Sequence, residues 1–222
     1  MPSDRQAKRV SVSLETSPRK VFATAIDWPG WSRSGKTEQL ALEALAAYAT
    51  RYAVVAAEAG EPFDPVGYDV VEQTDGGGGT AFGVPSAITA LDGRPVSADE
   101  GDRLARIVEA ALTVFDGVAA AAPAELRKGP RGGGRDRDKM IGHVVESEWY
   151  YAREMGLRGP QPGADDRAAI EALRASMLEI LRRPSDGSPL ADRTWPPRYA
   201  ARRIAWHALD HAWEMEDRTD PA

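Results

Sequence analysis

The hydrophobic period of this 222-residue chain changes from that of a strand to that of a helix along its length, and the change limits the folds open to it. Val10 to Leu14 alternates apolar and small polar residues, as a half-buried strand does. Ser17-Pro18-Arg19 then offers a turn, and Val21 to Ile26 reads as a second strand, so an antiparallel hairpin is expected. Asp27-Trp28-Pro29-Gly30-Trp31 breaks the strand. Thr37 is placed to cap a helix over 37–59, where Leu42, Leu45, Ala49, Tyr52 and Ala56 recur at helical spacing. Gly60 ends that helix, Tyr68 to Glu72 reads as a third strand, and Gly76 to Gly79 is a flexible or tightly turning run.

From Ala98 onward the apolar residues follow the helical period. Asp99 and Glu100 suit a first turn, and Leu104, Ile107, Val108, Ala111, Leu112, Phe115 and Val118 form one stripe that closes at Pro123. Further helices are predicted at 138–155, 165–183 and 198–217, bounded by Gly156, by Pro184 and by Trp195-Pro196-Pro197. The expected class is therefore α+β: a small β-β-α-β module at 1–82, a connector at 83–98 and an up-down four-helix bundle at 99–222.

Hydrophobic residues make up 42% of the chain and charged residues 28%, a balance that supports a packed core. The net charge of -6 argues against general nucleic-acid binding. Cysteine is absent, which excludes disulfides and thiolate nucleophiles and leaves nitrogen and oxygen as the ligands for any metal. There is no apolar leader and no membrane-length apolar run, so a cytoplasmic location is expected.

All three histidines fall on predicted helices in the last third of the chain. His207 and His211 are four apart, which puts both on one face of the last helix, one turn from each other. His143 lies on the second helix of the bundle. Facing helices would bring the three imidazoles to one divalent ion and leave further coordination positions open, as catalytic sites do. The same four-residue spacing also arises on helices that bind nothing, and a single inward histidine often just completes a core hydrogen bond.

Ile141-Gly142-His143-Val144-Val145-Glu146-Ser147-Glu148, Trp206-His207-Ala208-Leu209-Asp210-His211 and the Gly132-Gly133-Gly134 run after the first bundle helix resemble the DinB-like superfamily, which includes mycothiol- and bacillithiol-dependent S-transferases. The resemblance implies a four-helix bundle holding a divalent metal, zinc, nickel or iron, through His143, His207 and His211. It also implies a low-molecular-weight thiol as a second cofactor. Glu146, one turn beyond His143, is a candidate to orient a ligand or act as a base, against the plainer reading of a solvated helix face. Asp210 and Glu214 flank the pair and carry the same two readings.

Leu126 to Arg137 concentrates five basic side chains in twelve residues and leads into the helix that bears His143. Backbone N–H groups at a helix start, with arginines beside them, suit a carboxylate or phosphate. Arg131 and Arg135 are the candidates for substrate contact, and a solvated loop is the alternative. Residues 8–59, with Asp27 to Thr37 and Ala41-Leu42-Glu43-Ala44-Leu45, resemble the HicB-like antitoxin domain and imply a binding or oligomerisation module.

The expected function is that of a metal-dependent transferase or hydrolase acting on a small acidic substrate, in a protein that forms a homodimer and binds neither nucleic acid nor membrane. The alternative is a non-catalytic metal- or ligand-binding module of the toxin–antitoxin kind. It would use the N-terminal part for protein contact.

Overall fold

In a computed structural model, residues 9–128 and 134–219 are described. Strands β1 (Val10–Thr16) and β2 (Val21–Ala25) form the expected antiparallel hairpin, with Leu14 opposite Ala23 and Glu15 opposite Phe22. A strand not anticipated from the sequence, β3 (Ser32–Gly35), pairs with β2. Its Ser-Arg-Ser-Gly sequence carries no apolar alternation, because its contacts are polar: Thr24 Oγ1 and Ser32 Oγ lie 2.7 Å apart. Strand β4 (Tyr68–Asp75) runs parallel to β1 on the other edge, which gives the order β3-β2-β1-β4.

The central strands β1 and β2 are buried on both faces, whereas the edge strand β4 is largely exposed. Val12, Leu14, Ala23 and Ala25 form one buried apolar face. On the other face, Phe22 meets Trp206 edge-on at 6.2 Å, and the buried Glu15 accepts hydrogen bonds from Thr80 and from the Ser86 amide.

The helix expected over 37–59 is two helices, α1 (Glu38–Ala47) and α2 (Ala49–Glu58), bent by 52° at Tyr48. Thr37 caps α1 as predicted, accepting from Leu40 N at 3.2 Å. No proline marks the bend. Tyr48 is held there by tertiary contacts: its ring lies 3.9 Å from the Arg33 guanidinium and 5.0 Å from the Trp213 ring. Among the described residues no single helix is long and apolar enough to cross a membrane. The bent α1–α2 pair reaches that length and composition together, but it buries Ala41, Leu45, Tyr52 and Val55 in the protein core.

A short helix α3 (Gly78–Phe82) and a single 3-10 turn (Ala90–Gly93) occupy the stretch read as a glycine run and connector. This stretch is tied down: the buried Arg202 pairs with Asp92 through contacts of 2.8 and 2.6 Å. Four long helices follow: α4 (Ala98–Ala121), α5 (Arg137–Glu154), α6 (Arg167–Arg182) and α7 (Pro197–Arg218). Their ends fall within one or two residues of the expected ones, the usual scatter of helix termini. Ser97 and Glu100 form a capping box at the start of α4.

The class is α+β, as expected, but α5 and α6 run the same way instead of alternating. The C-terminal end of α4 meets the start of α5, where Arg137 donates to the Ala122 carbonyl. The segment after α5 turns back along it: Leu157 N bonds Ala152 O, Trp149 Nε1 donates to Gly159 O, and Ala164 approaches Gly142. Helix α6 therefore starts near Asp116 of α4, which Arg167 reaches, and ends beside Gly101, where a Cβ would lie 2.7 Å from the Arg182 carbonyl oxygen. The C-terminal end of α7 lies with that of α4, since Arg127 N bonds Arg218 O. The order is up, down, down, up.

Helix α7 sits at the centre. It is buried on most of its circumference, including Arg202, His207 and Arg218, as expected for a helix packed on several sides. Gly30, at φ +93°, lets the turn after β2 lie against it; a Cβ there would be 2.7 Å from Leu209 Cδ1. One hydrophobic core runs from Val10 through Trp31 and Leu45 to Met215, across the boundary between the sheet and the bundle. Trp31 is fully buried, stacks on Tyr52 at 5.3 Å and donates to the Leu45 carbonyl, so it fills core and takes no part in the histidine cluster.

Candidate metal centre

Helices α5 and α7 pack side by side and bring the three histidines together. His143 is half-buried on the second turn of α5, whereas His207 and His211 are buried one turn apart on α7. His143 Nε2 and His207 Nε2 lie 3.2 Å apart. The ring centres are 5.0 Å apart for 143 and 207, 5.1 Å for 143 and 211, and 4.7 Å for 207 and 211. One nitrogen from each ring falls within 4.8 Å of the others, so the three side chains could hold a metal ion.

Zinc–nitrogen bonds of about 2.0–2.1 Å in tetrahedral geometry separate two ligand nitrogens by roughly 3.3 Å. The 143–207 pair already has that span, and rotation of an imidazole can adjust the remaining sides. The charge state also suits ligation. Burial, then the Arg135 guanidinium and His211, lower His143 from 6.5 to about 4, with Glu214 pulling the other way. Burial lowers His207 well below 6.5, with His211 and Arg203 adding to the effect. Both rings are therefore neutral near pH 7, the form that binds metals. No carboxylate belongs to the trio, so an ion held there would keep its full positive charge.

The carboxylate that completes the arrangement is Glu214. Its Oε2 lies 3.1 Å from His211 Nδ1, which leaves His211 Nε2 as the free ligand atom. Arg218 Nη1 donates to Glu214 Oε1 at 2.9 Å. The hydrogen bonds from His211 and Arg218 hold the Glu214 carboxyl below its usual range against the effect of burial. Glu214, for which the sequence offered a solvated helix face as the plainer reading, instead bonds His211 and Arg218. The signal available in the sequence was its position three residues after His211, within reach of that ring on a helix.

Glu146 is exposed on α5, and the acid whose charge acts on His143 is Glu214. Asp210 points to another side of α7, where it pairs with Arg33 of β3 at 2.9 Å. Arg135 is exposed beside the cluster, and its backbone carbonyl accepts from Arg218 at 2.8 Å. Gly134, at φ +122°, permits this approach, since a Cβ would lie 2.7 Å from the Arg218 guanidinium carbon. Arg131 lies outside the described residues. Three further side chains border His207. Tyr151 has its ring 5.7 Å away, Trp206 6.1 Å, and Arg203 precedes it by one turn.

A cavity of about 690 Å³ opens elsewhere, beside Trp28, Phe63 and Arg103. On its wall Arg103 pairs with Glu61 and Arg198 with Glu100. No known protein family, curated protein or solved structure matches the chain.

Proposed function

We propose that this chain is a divalent-metal-dependent enzyme of the DinB-like kind, acting as a thiol S-transferase or hydrolase on a small acidic substrate. The observation that carries the reading is the convergence of three imidazoles, two of them held neutral by burial, with a carboxylate bonded to the third. His143, His207 and His211 would hold zinc, nickel or iron. The ion would supply Lewis acidity, lowering the pKa of a bound water or thiol.

The residues around the ion have separate tasks. Glu214 fixes the His211 ring so that Nε2 faces the ion. Arg218 holds Glu214 and, through the backbone carbonyls of Arg127 and Arg135, the two ends of the basic loop. Arg135 places positive charge at the exposed rim. Glu146 stands at the solvent side of α5 as the candidate proton acceptor. Because the chain has no cysteine, a transferred thiol comes from a small molecule.

The deciding experiment is elemental analysis of protein purified without a histidine tag, followed by turnover of electrophiles with and without a low-molecular-weight thiol. About one equivalent of metal, lost in His143→Ala, and thiol-dependent or hydrolytic turnover are expected. Metal-free protein that cannot be loaded would overturn the reading.

A second reading, that of an interaction module or homodimer, is favoured by β4. It is an edge strand with Val70 and Val71 exposed. Light scattering across a concentration series tests it, with twice the 24.0 kDa chain mass expected for a dimer.

A further inference from the structure

We infer that Arg203 and Trp206 form a subsite for a planar carboxylate beside the histidine cluster. The substrate class is then a small carboxylic acid whose reacting group lies a few bonds from its carboxylate. This rests on the metal reading above and deepens it.

Two neighbouring donors in this part of the protein lack acceptors. Arg203 Nη1 and Trp206 Nε1 are both buried and without a hydrogen-bond partner among the described residues. They belong to one stacked group: the Arg203 guanidinium carbon lies 4.8 Å from the centre of the Trp206 ring and 5.4 Å from that of Tyr151. Arg203 is four residues before His207, so it shares that residue's side of α7. The Tyr151 ring stands nearly perpendicular to the His207 ring, at 83°.

Buried donors are nearly always satisfied, and two adjacent exceptions next to a cluster of metal-type ligands point to an acceptor supplied from outside the chain. The adjacent Arg202 shows the contrast, since its guanidinium is matched by the buried Asp92. Among the described residues no ion pair or hydrogen bond gives Arg203 an acidic partner, and its charge instead acts on His207, Tyr151 and Tyr199.

The shape selects the kind of anion. Aromatic rings against the guanidinium leave its edge as the donating surface, and that edge matches the two oxygens of a carboxylate. A cation one helical turn from His207, roughly 5–6 Å between Cβ atoms, sets the spacing between the carboxylate and the metal-bound group. The sequence pointed to Arg131 and Arg135 for this task. Arg135 is exposed at the rim, whereas Arg203 is half-buried and has an unpartnered donor.

The test has two arms. In the first, metal-free full-length protein is titrated with succinate and with uncharged succinamide. In the second, cobalt-loaded protein is titrated with the monohydroxamate of succinic acid and with butyrohydroxamate, followed by the visible cobalt bands. In both arms the carboxylate-bearing probe is expected to bind about tenfold tighter or more. Arg203→Met should bring the ratio close to one while cobalt still binds.

Arg203→Lys and Trp206→Phe guard against misfolding of that variant. The lysine loses most of the preference because it lacks the planar fork, and the phenylalanine loses part of it while keeping the ring. A ratio near one in the wild type, or one unchanged in both of these variants, overturns the subsite. If cobalt fails to bind while succinate selectivity in the first arm depends on Arg203, the metal reading fails and the subsite stands. If cobalt binds and the selectivity is missing, the subsite fails alone.

Discussion

Glu214 Oε2 lies 3.1 Å from Nδ1 of His211, three residues earlier on the same helix. The contact sets which nitrogen of His211 faces the cluster, so its removal should act on metal affinity more than on folding. Glu214→Gln is expected to weaken zinc binding by about 10–100-fold, the usual cost of losing a carboxylate behind a histidine ligand. Competition with a chromophoric chelator measures it. An affinity equal to that of the wild type would show that the carboxylate does not orient the ligand.

Metal binding should raise thermal stability, because the three histidines that could hold the ion lie on two helices that unfolding separates. At free zinc 100-fold above the dissociation constant, the gain is about 2.7 kcal/mol. For a chain of this size that corresponds to a midpoint increase of roughly 5–10 °C. His207→Ala should abolish the increase in a scanning-calorimetry comparison made with and without zinc.

The metal-free protein should lose stability as the pH falls from about 6.5 toward 4. The folded-state value of His143 is lowered to about 4 and that of His207 is lowered well below 6.5. In this window the unfolded chain takes up protons that the folded chain refuses, so stability present above pH 6.5 is lost on acidification. Arg135, Arg203 and His211 oppose the charging of these rings, and Glu214 favours it for His143. Thermal midpoints between pH 7 and 4.5 check this. A double variant with His143→Gln and His207→Gln should show a shallower slope, and an equal slope would assign the effect to other groups.

Away from the cluster, Arg174 of α6 holds the buried Glu148 of α5 through two contacts of 2.8 Å and Asp116 of α4 through a third of 2.8 Å. Arg174→Ala leaves Glu148 buried without its partner and is expected to cost about 3–5 kcal/mol in urea denaturation. Replacing both Arg174 and Glu148 by Met should recover most of that loss, since the burial penalty disappears with the charges.

The periodic features of the chain were legible because they are local. Helices α4 to α7 announced themselves through apolar stripes and end signals, the hairpin through alternation and a Pro turn, and the His207–His211 pair through its spacing on one helix. Strand β3 was missed because its polar sequence is held by pairing to β2 and not by an apolar face. The bend at Tyr48 was missed because no proline or glycine marks it; Tyr48 instead meets Arg33 and Trp213, residues outside its own helices.

The sequence by itself therefore determined the long helices of the bundle, the first hairpin and the types of ligand available. Tertiary structure decided how those elements meet. It brought His143 within 3.2 Å of His207 across 64 residues, and it turned the chain after α5 back along that helix so that α5 and α6 run in parallel. It also assigned Glu214 to His211, Asp210 to Arg33 across 177 residues, and Arg203 to a place between two rings. The physical reason is that hydrogen bonding and side-chain spacing within one element repeat along the chain, whereas the approach of two elements depends on the packing of the whole core.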